Sequence, residues 1–144
     1  MIMFKNIEGY PDPTAGTAMS RVLKEYKQRQ RRRFAAKNRR KIYVVSKYAG
    51  DVATNKENAV RFCRYVIDRG NMPVASHLLY PQILNDSSPH EREMGLMFGL
   101  ALLALCDEVW IFTENGEISS GMKREIEEAT QLGIPVRQLD LEEI

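Results

Sequence analysis

What most restricts the fold is a regular alternation that begins at Lys41. KIYVVS (41–46) is a continuous apolar, β-branched run, the pattern of a parallel strand covered on both faces. MPVAS (72–76), DEVWIFT (107–113) and IPVRQL (134–139) read as three further strands, and each gap between them is long enough for a crossover helix. In the first gap Thr54 and Glu57 form a capping-box pattern, so a helix should open there. Its inward stripe is expected to be Ala59, Val60, Cys63, Val66 and Ile67, with Gly70 as the stop. In the second gap Ser88, Pro89 and Glu91 supply an N-cap, a first-turn proline and a capping partner for a helix reaching about Leu105. In the third, SSGMKREIEEATQL (119–132) is a helix that starts at a serine pair. Elements in this order predict an α/β fold of flavodoxin/Rossmann-like type, a three-layer parallel sheet with right-handed crossovers, over residues 41–144. Ligands of such sheets sit beyond the carboxyl ends of the strands. The loops spanning 46–52, 76–87 and 113–121 should therefore carry the function.

Residues 1–40 form a different kind of segment, a basic and mostly helical N-terminal extension. Residues 1–41 hold 12 basic and 3 acidic side chains (+9), and residues 42–144 hold 9 basic and 16 acidic (−7). YPDPTAG (10–16) is a turn-rich lead-in, and a helix is expected from Thr17 to about Arg40 with Met19, Val22, Leu23 and Tyr26 at helical spacing. Its arginines suit nucleic acid or other phosphates, or a solvated face packed against the acidic body. Cys63 and Cys106 are far apart within apolar patterns, so buried reduced thiols are expected rather than a zinc site or a disulfide. No apolar signal region begins the chain, and the longest apolar run, 94–106, is too short to span a bilayer. A cytoplasmic protein without a membrane partner is expected. The helix after Ser88 is apolar on every side beyond Met94, which predicts burial all round or a subunit contact. Gly95 and Gly99 would let another backbone approach, which favours a homodimer or higher homo-oligomer.

Three groups of residues could carry chemistry. Ser46, Lys47, Gly50 and Asp51 precede a helix N-terminus, a position suited to an anion such as phosphate, although neither a P-loop nor a G-x-G-x-x-G fingerprint is present. His77 follows the second strand, as either a hydrogen-bonded structural residue or a catalyst, whereas His90 reads as surface. Ser119, Ser120 and Gly121 lead into the last helix, where Glu125 lies beside the Met122, Ile126 and Ala129 stripe. Glu127 and Glu128 fit an exposed, dipole-complementing role. Glu125, with Met122 and Ala129 as its helical neighbours, fits it less well. No metal or cofactor is implied.

Tyr43 in the first strand, CDEVWIF at the third, and SSGMKREIEEATQLGIPV with its Gly-x-x-x-Glu spacing resemble the nucleoside 2-deoxyribosyltransferase-like family, which includes deoxynucleoside 5′-monophosphate N-glycosidases. The resemblance covers residues 41–139. It implies that Glu125 is an ionised nucleophile attacking C1′ of a nucleotide sugar, with Tyr43 positioning it. It further implies that Ser119 stands where the monophosphate glycosidases have a serine and the deoxyribosyltransferases an aspartate, pointing to a phosphorylated nucleoside. One departure is visible: the family's aspartate on the preceding helix falls in register with Gly99, eight residues before Asp107. Glu93, Asp86 or His77 are the candidates to replace it. Two other functions stay open, a binding module holding a nucleotide or ADP-ribose-like ligand without turnover, and a nucleic-acid contact through the Arg-rich extension.

Overall fold

The computed structural model describes residues 13–144. These divide into two units, one containing helix α1 (Pro13–Asn38) and the other residues 39–144. The α1 helix starts earlier than expected. Residues 13–16 are helical rather than a turn, with Pro13 at the first helical position, where its missing N–H costs nothing; residues 10–12 of the expected turn lie outside the described residues. A single helix cannot bury Met19, Val22, Leu23 and Tyr26 by itself.

The second unit runs β1 (Lys41–Val45), α2 (Val52–Asp68), β2 (Met72–Val74), two short 3-10 turns at Ser76–Leu78 and Tyr80–Gln82, α3 (Pro89–Ala104), β3 (Glu108–Thr113), α4 (Ser120–Gln131) and β4 (Val136–Asp140). The four strands form one parallel sheet in the order β2-β1-β3-β4. Successive residues of a strand point to opposite faces, and β1 shows the consequence. Ile42 and Val44 join Phe62, Val66, Trp110, Phe112 and Leu139 in a core under α2. Tyr43 and Val45 join Leu103, Cys106, Val109, Ile111, Met122 and Ala129 in a second core under α3 and α4. Helices on both faces make the expected three layers. Strand order changes direction between β1 and β3, so the chain leaves their carboxyl ends toward opposite faces of the sheet, the place where such sheets open a crevice.

Several local expectations are corrected. The cap of α2 is Asp51, whose carboxylate accepts from the Thr54 N–H (3.3 Å) and hydroxyl (2.8 Å); Thr54 lies inside the helix because a carboxylate three residues earlier already satisfies its free N–H. The buried stripe of α2 is Asn55, Ala59, Phe62 and Val66, whereas Val60 and Ile67 are 58% and 40% exposed. Phe62 sets that rotation by stacking on Phe112 with ring centroids 4.4 Å apart. Gly70, at φ +83°, carries the chain out of α2 in the left-handed region that glycine favours.

Ser88 does cap α3, accepting from the Glu91 N–H at 3.3 Å, but the Glu91 carboxylate reaches back to the Asn85 N–H (3.1 Å) instead. The α3 helix is not buried all round, since Met97 and Phe98, and Leu105 just past its end, are exposed. Its glycines admit side chains of this same chain. A Cβ at position 95 would lie 3.3 Å from Leu84, and one at position 99 would lie 3.1 Å from Ser76 Oγ and 3.3 Å from Tyr43 Oη. Of the two thiols, Cys106 is buried and Cys63 half-buried, both free. No helix among the described residues is long and apolar enough to cross a membrane.

Candidate active site

A cleft of about 520 Å³ opens at the carboxyl ends of β1 and β2 and the N-termini of α3 and α4, within the size range of small-molecule sites. Four segments build it. The end of β1 supplies Tyr43 and Ser46, the turn after β2 supplies Ser76 and His77, α3 supplies Glu91, Arg92 and Gly99, and the start of α4 supplies Ser119, Ser120, Gly121, Arg124 and Glu125. Of the residues singled out from the sequence, Tyr43, Ser46, His77, Ser119, Ser120, Gly121 and Glu125 therefore surround one space.

Lys47, Gly50 and Asp51 do not line it. Asp51 is occupied as the α2 cap, and its hydrogen bonds to Thr54 hold its carboxyl below the ordinary range. Gly50 turns the chain at φ +97°. Lys47 borders a separate cavity of about 20 Å³, too small for a ligand. This loop is instead shaped by Asn55, whose buried side-chain amide donates to the carbonyls of Tyr48 and Ala49, each at 3.0 Å. Of the four residues expected there, only Ser46 faces the cleft.

At the cleft floor Tyr43 Oη and Ser76 Oγ share a buried hydrogen bond of 2.6 Å. Burial, and then the nearby Glu125 carboxyl, push the phenol well above its ordinary value, so Tyr43 stays protonated and acts as a donor. The Glu125 side chain is half-buried. Its Oε2 is fully covered and has no hydrogen-bond partner. Burial raises its pKa to about 7, against a smaller downward pull from the Tyr43 hydroxyl. That pull comes from hydrogen bonding by the Tyr43 hydroxyl, although its shortest contact is the one to Ser76. The acid expected to be ionised is accordingly only about half so at neutral pH. Glu125 is the sixth residue of α4, beyond the first turn where a helix dipole favours a negative charge, so desolvation prevails.

His77 Nε2 and Ser46 Oγ are 2.9 Å apart, and Tyr48 meets the imidazole edge-on with centroids 6.5 Å apart. Burial lowers the His77 pKa to about 4. The ring is therefore neutral at pH 7 and can accept or donate one hydrogen bond but cannot act as an imidazolium acid. Following the His77 ring resonances by NMR, we expect no protonation as pH falls to about 5; a midpoint at the ordinary value of 6.5 would mean that water reaches the ring.

Ser119 caps α4 by accepting from the Met122 N–H at 3.3 Å, which leaves its own proton free to donate. Arg92 donates to the Asp86 carbonyl at 3.3 and 3.2 Å, and Arg124 pairs with Glu93 at 3.7 Å. Of the acids considered as replacements in the register of Gly99, Asp86 lines the cleft beside Arg92, whereas Glu93 faces Arg124 outside the lining. A side chain at position 99 would press on Ser76 and Tyr43, which would have to shift by a few tenths of an ångström. Sequence reasoning missed Ser76, Arg92 and Arg124. Ser76 carried one usable signal, its place as the last residue of a predicted strand. Among the described residues, no three of His, Cys, Asp and Glu converge as a metal site would require.

No curated protein matches the chain. Among solved structures, a 2-deoxyribosyltransferase from the psychrotolerant bacterium Bacillus psychrosaccharolyticus is similar with a TM-score of 0.59 and 16% identity, over 69% of this chain and 72% of that one. At that identity the likeness is one of fold: a four-stranded parallel sheet with flanking helices. The family model described as Domain of unknown function (DUF7768) matches residues 40–139, the stretch that holds all but the last residue of the sheet and every wall of the cleft, and the chain belongs to that family.

Proposed function

We propose that the protein cleaves the N-glycosidic bond of a nucleoside 5′-monophosphate or related nucleotide, with Glu125 as nucleophile. The observation that carries this reading is the Glu125 carboxyl: it lines a cleft of ligand size, has one oxygen without a partner, and is neighboured by a tyrosine that cannot ionise. In its ionised form it attacks C1′ as the bond to the base breaks. The base leaves with the bonding electron pair and takes up a proton, and water then hydrolyses the glycosyl ester to regenerate the carboxylate. The raised pKa makes the ionised acid more basic and less stabilised by water, which strengthens it as a nucleophile. Ser119, Ser120 and Gly121 present hydroxyls and N–H groups at a helix N-terminus, where a 5′-phosphate would be held, with Arg124 one turn further along the cleft wall. The sheet architecture shared with a 2-deoxyribosyltransferase is consistent with this chemistry. Pairing of two copies, as expected from the sequence, would cover Met97 and Phe98 on α3 and Leu105 at its end.

Incubation with a panel of deoxynucleoside and ribonucleoside monophosphates, with free base followed by chromatography, tests the reading. Release of base from at least one monophosphate, and weaker release from the matching free nucleoside, is the expected result. Thermal stabilisation by a nucleotide with no base released would instead select a binding module. The crowding at position 99 favours that second reading, because it leaves little room there for a further acid.

A further inference from the structure

Ser76 has no role in the chemistry outlined so far, yet its hydroxyl makes the shortest polar contact on the cleft floor. It comes from the turn after β2, reaches across to β1, and rests against the bare Cα of Gly99 on α3. Three elements thus meet at one hydrogen bond. Two proton arrangements satisfy the 2.6 Å contact. If Tyr43 donates to Ser76, the tyrosine has nothing to give Glu125. If Ser76 donates to Tyr43 Oη, the phenolic proton is free to turn toward the carboxylate, whose covered Oε2 has no other donor. A buried carboxylate without a donor is costly, so ionisation of Glu125 selects the second arrangement.

We propose that Ser76 is a positioning residue: its hydroxyl, seated in the space left by Gly99, donates to Tyr43 Oη and thereby turns the tyrosine's own proton onto the Glu125 carboxylate. Ser76 touches neither substrate nor Glu125 in this role; it acts through Tyr43. A donated hydrogen bond polarises the phenol and makes it a stronger donor in turn. The inference deepens the reading of Glu125 as the reactive carboxylate and rests on it. The other titratable or charged groups around the cleft are Tyr48, His77, Tyr80, Asp86, Glu91, Arg92 and Arg124. None of them hydrogen-bonds to Oε2, and the two arginines are engaged with Asp86 and Glu93. The Ser76–Tyr43 pair is therefore a route by which the carboxylate can gain a donor.

The test is a titration that needs no turnover. The whole chain is labelled with side-chain ¹³C glutamate, and the Glu125 carboxyl signal is assigned by its loss in Glu125→Gln. Ser76→Ala is expected to move the Glu125 midpoint up by about half a pH unit or more. Gly99→Ala, which crowds the same pair from the other side, should move it in the same direction. Tyr43→Phe should raise it as well, and adding Ser76→Ala to Tyr43→Phe should then change nothing further. An unmoved midpoint in both Ser76→Ala and Gly99→Ala overturns the proposal. So does a Ser76→Ala effect that persists without the Tyr43 hydroxyl, since Ser76 would then act by packing alone. Because base release is not measured, failure of the glycosidase reading leaves these outcomes legible, and a null titration leaves base release to be judged separately.

Discussion

Glu125→Gln is expected to lower turnover of a responsive nucleoside monophosphate by about 10³-fold or more and, at the same time, to stabilise the protein at alkaline pH. The first effect follows from chemistry: the amide keeps the shape of the side chain but has no charged oxygen to form the glycosyl ester. The second follows from linkage. The folded carboxyl has a pKa of about 7 against an ordinary value of 4.5, so the folded state binds its proton more tightly than the unfolded chain. A group raised in this way contributes stability fully below about pH 4.5, and that contribution is lost as pH rises through about 7. Glutamine carries no such loss. Allowing for the partial exposure of the side chain, the variant should gain about 1–3 kcal/mol over the wild type at pH 8 and little near pH 4.5. Urea denaturation of both proteins at the two pH values reads this directly. A gap independent of pH would mean that the carboxyl is well solvated, and undiminished base release would remove it as the nucleophile.

Phe112→Ala should cost about 3–5 kcal/mol of folding stability. Phe112 is buried under α2, stacked on Phe62 with the planes only 9° apart, and has Tyr65 edge-on at 6.1 Å. Truncation leaves a cavity between β3 and α2 that neither neighbour can fill by rotating, because the main chain of both elements is held by its own hydrogen bonds. For a unit of this size the melting temperature should fall by about 10 °C or more. Phe112→Leu, which keeps most of the volume, should recover much of the loss. The residue belongs to the core on the α2 face, whereas Tyr43 and Met122 belong to the other. Folded Phe112→Ala protein should therefore keep its Glu125 titration. A loss of less than about 1 kcal/mol would mean that the Phe62–Phe112 stack does not anchor α2 to the sheet.

The fold was largely legible in the chain because the signals that encode it are local. β-Branched runs between helix-patterned stretches define the elements, Ser88-Pro89 and the Ser119 pair mark helix starts, and the order of elements restricts the sheet to parallel crossovers. Where local signals competed, the reading slipped. Thr54 and Asp51 both offer an N-cap, and only the observed geometry chooses the carboxylate. Val60 and Phe62 both offer an apolar face to α2, and the aromatic stack with Phe112, 50 residues away in sequence, decides between them.

By itself, the sequence determined an alternating α/β unit over residues 41–144, the three loops at the functional end of its sheet, and Glu125 as an acid on the edge of a buried stripe. All of these depend on spacing within one element or on the order of neighbouring ones. Only the tertiary structure decided that Lys47, Gly50 and Asp51 do not line the cleft, that Arg92 and Arg124 do, and that Gly99 makes room for the Tyr43–Ser76 contact. It also decided that Glu125 titrates near neutrality. Desolvation and hydrogen bonding depend on distances of a few ångströms between elements separated by tens of residues, and no periodicity within a segment records those distances.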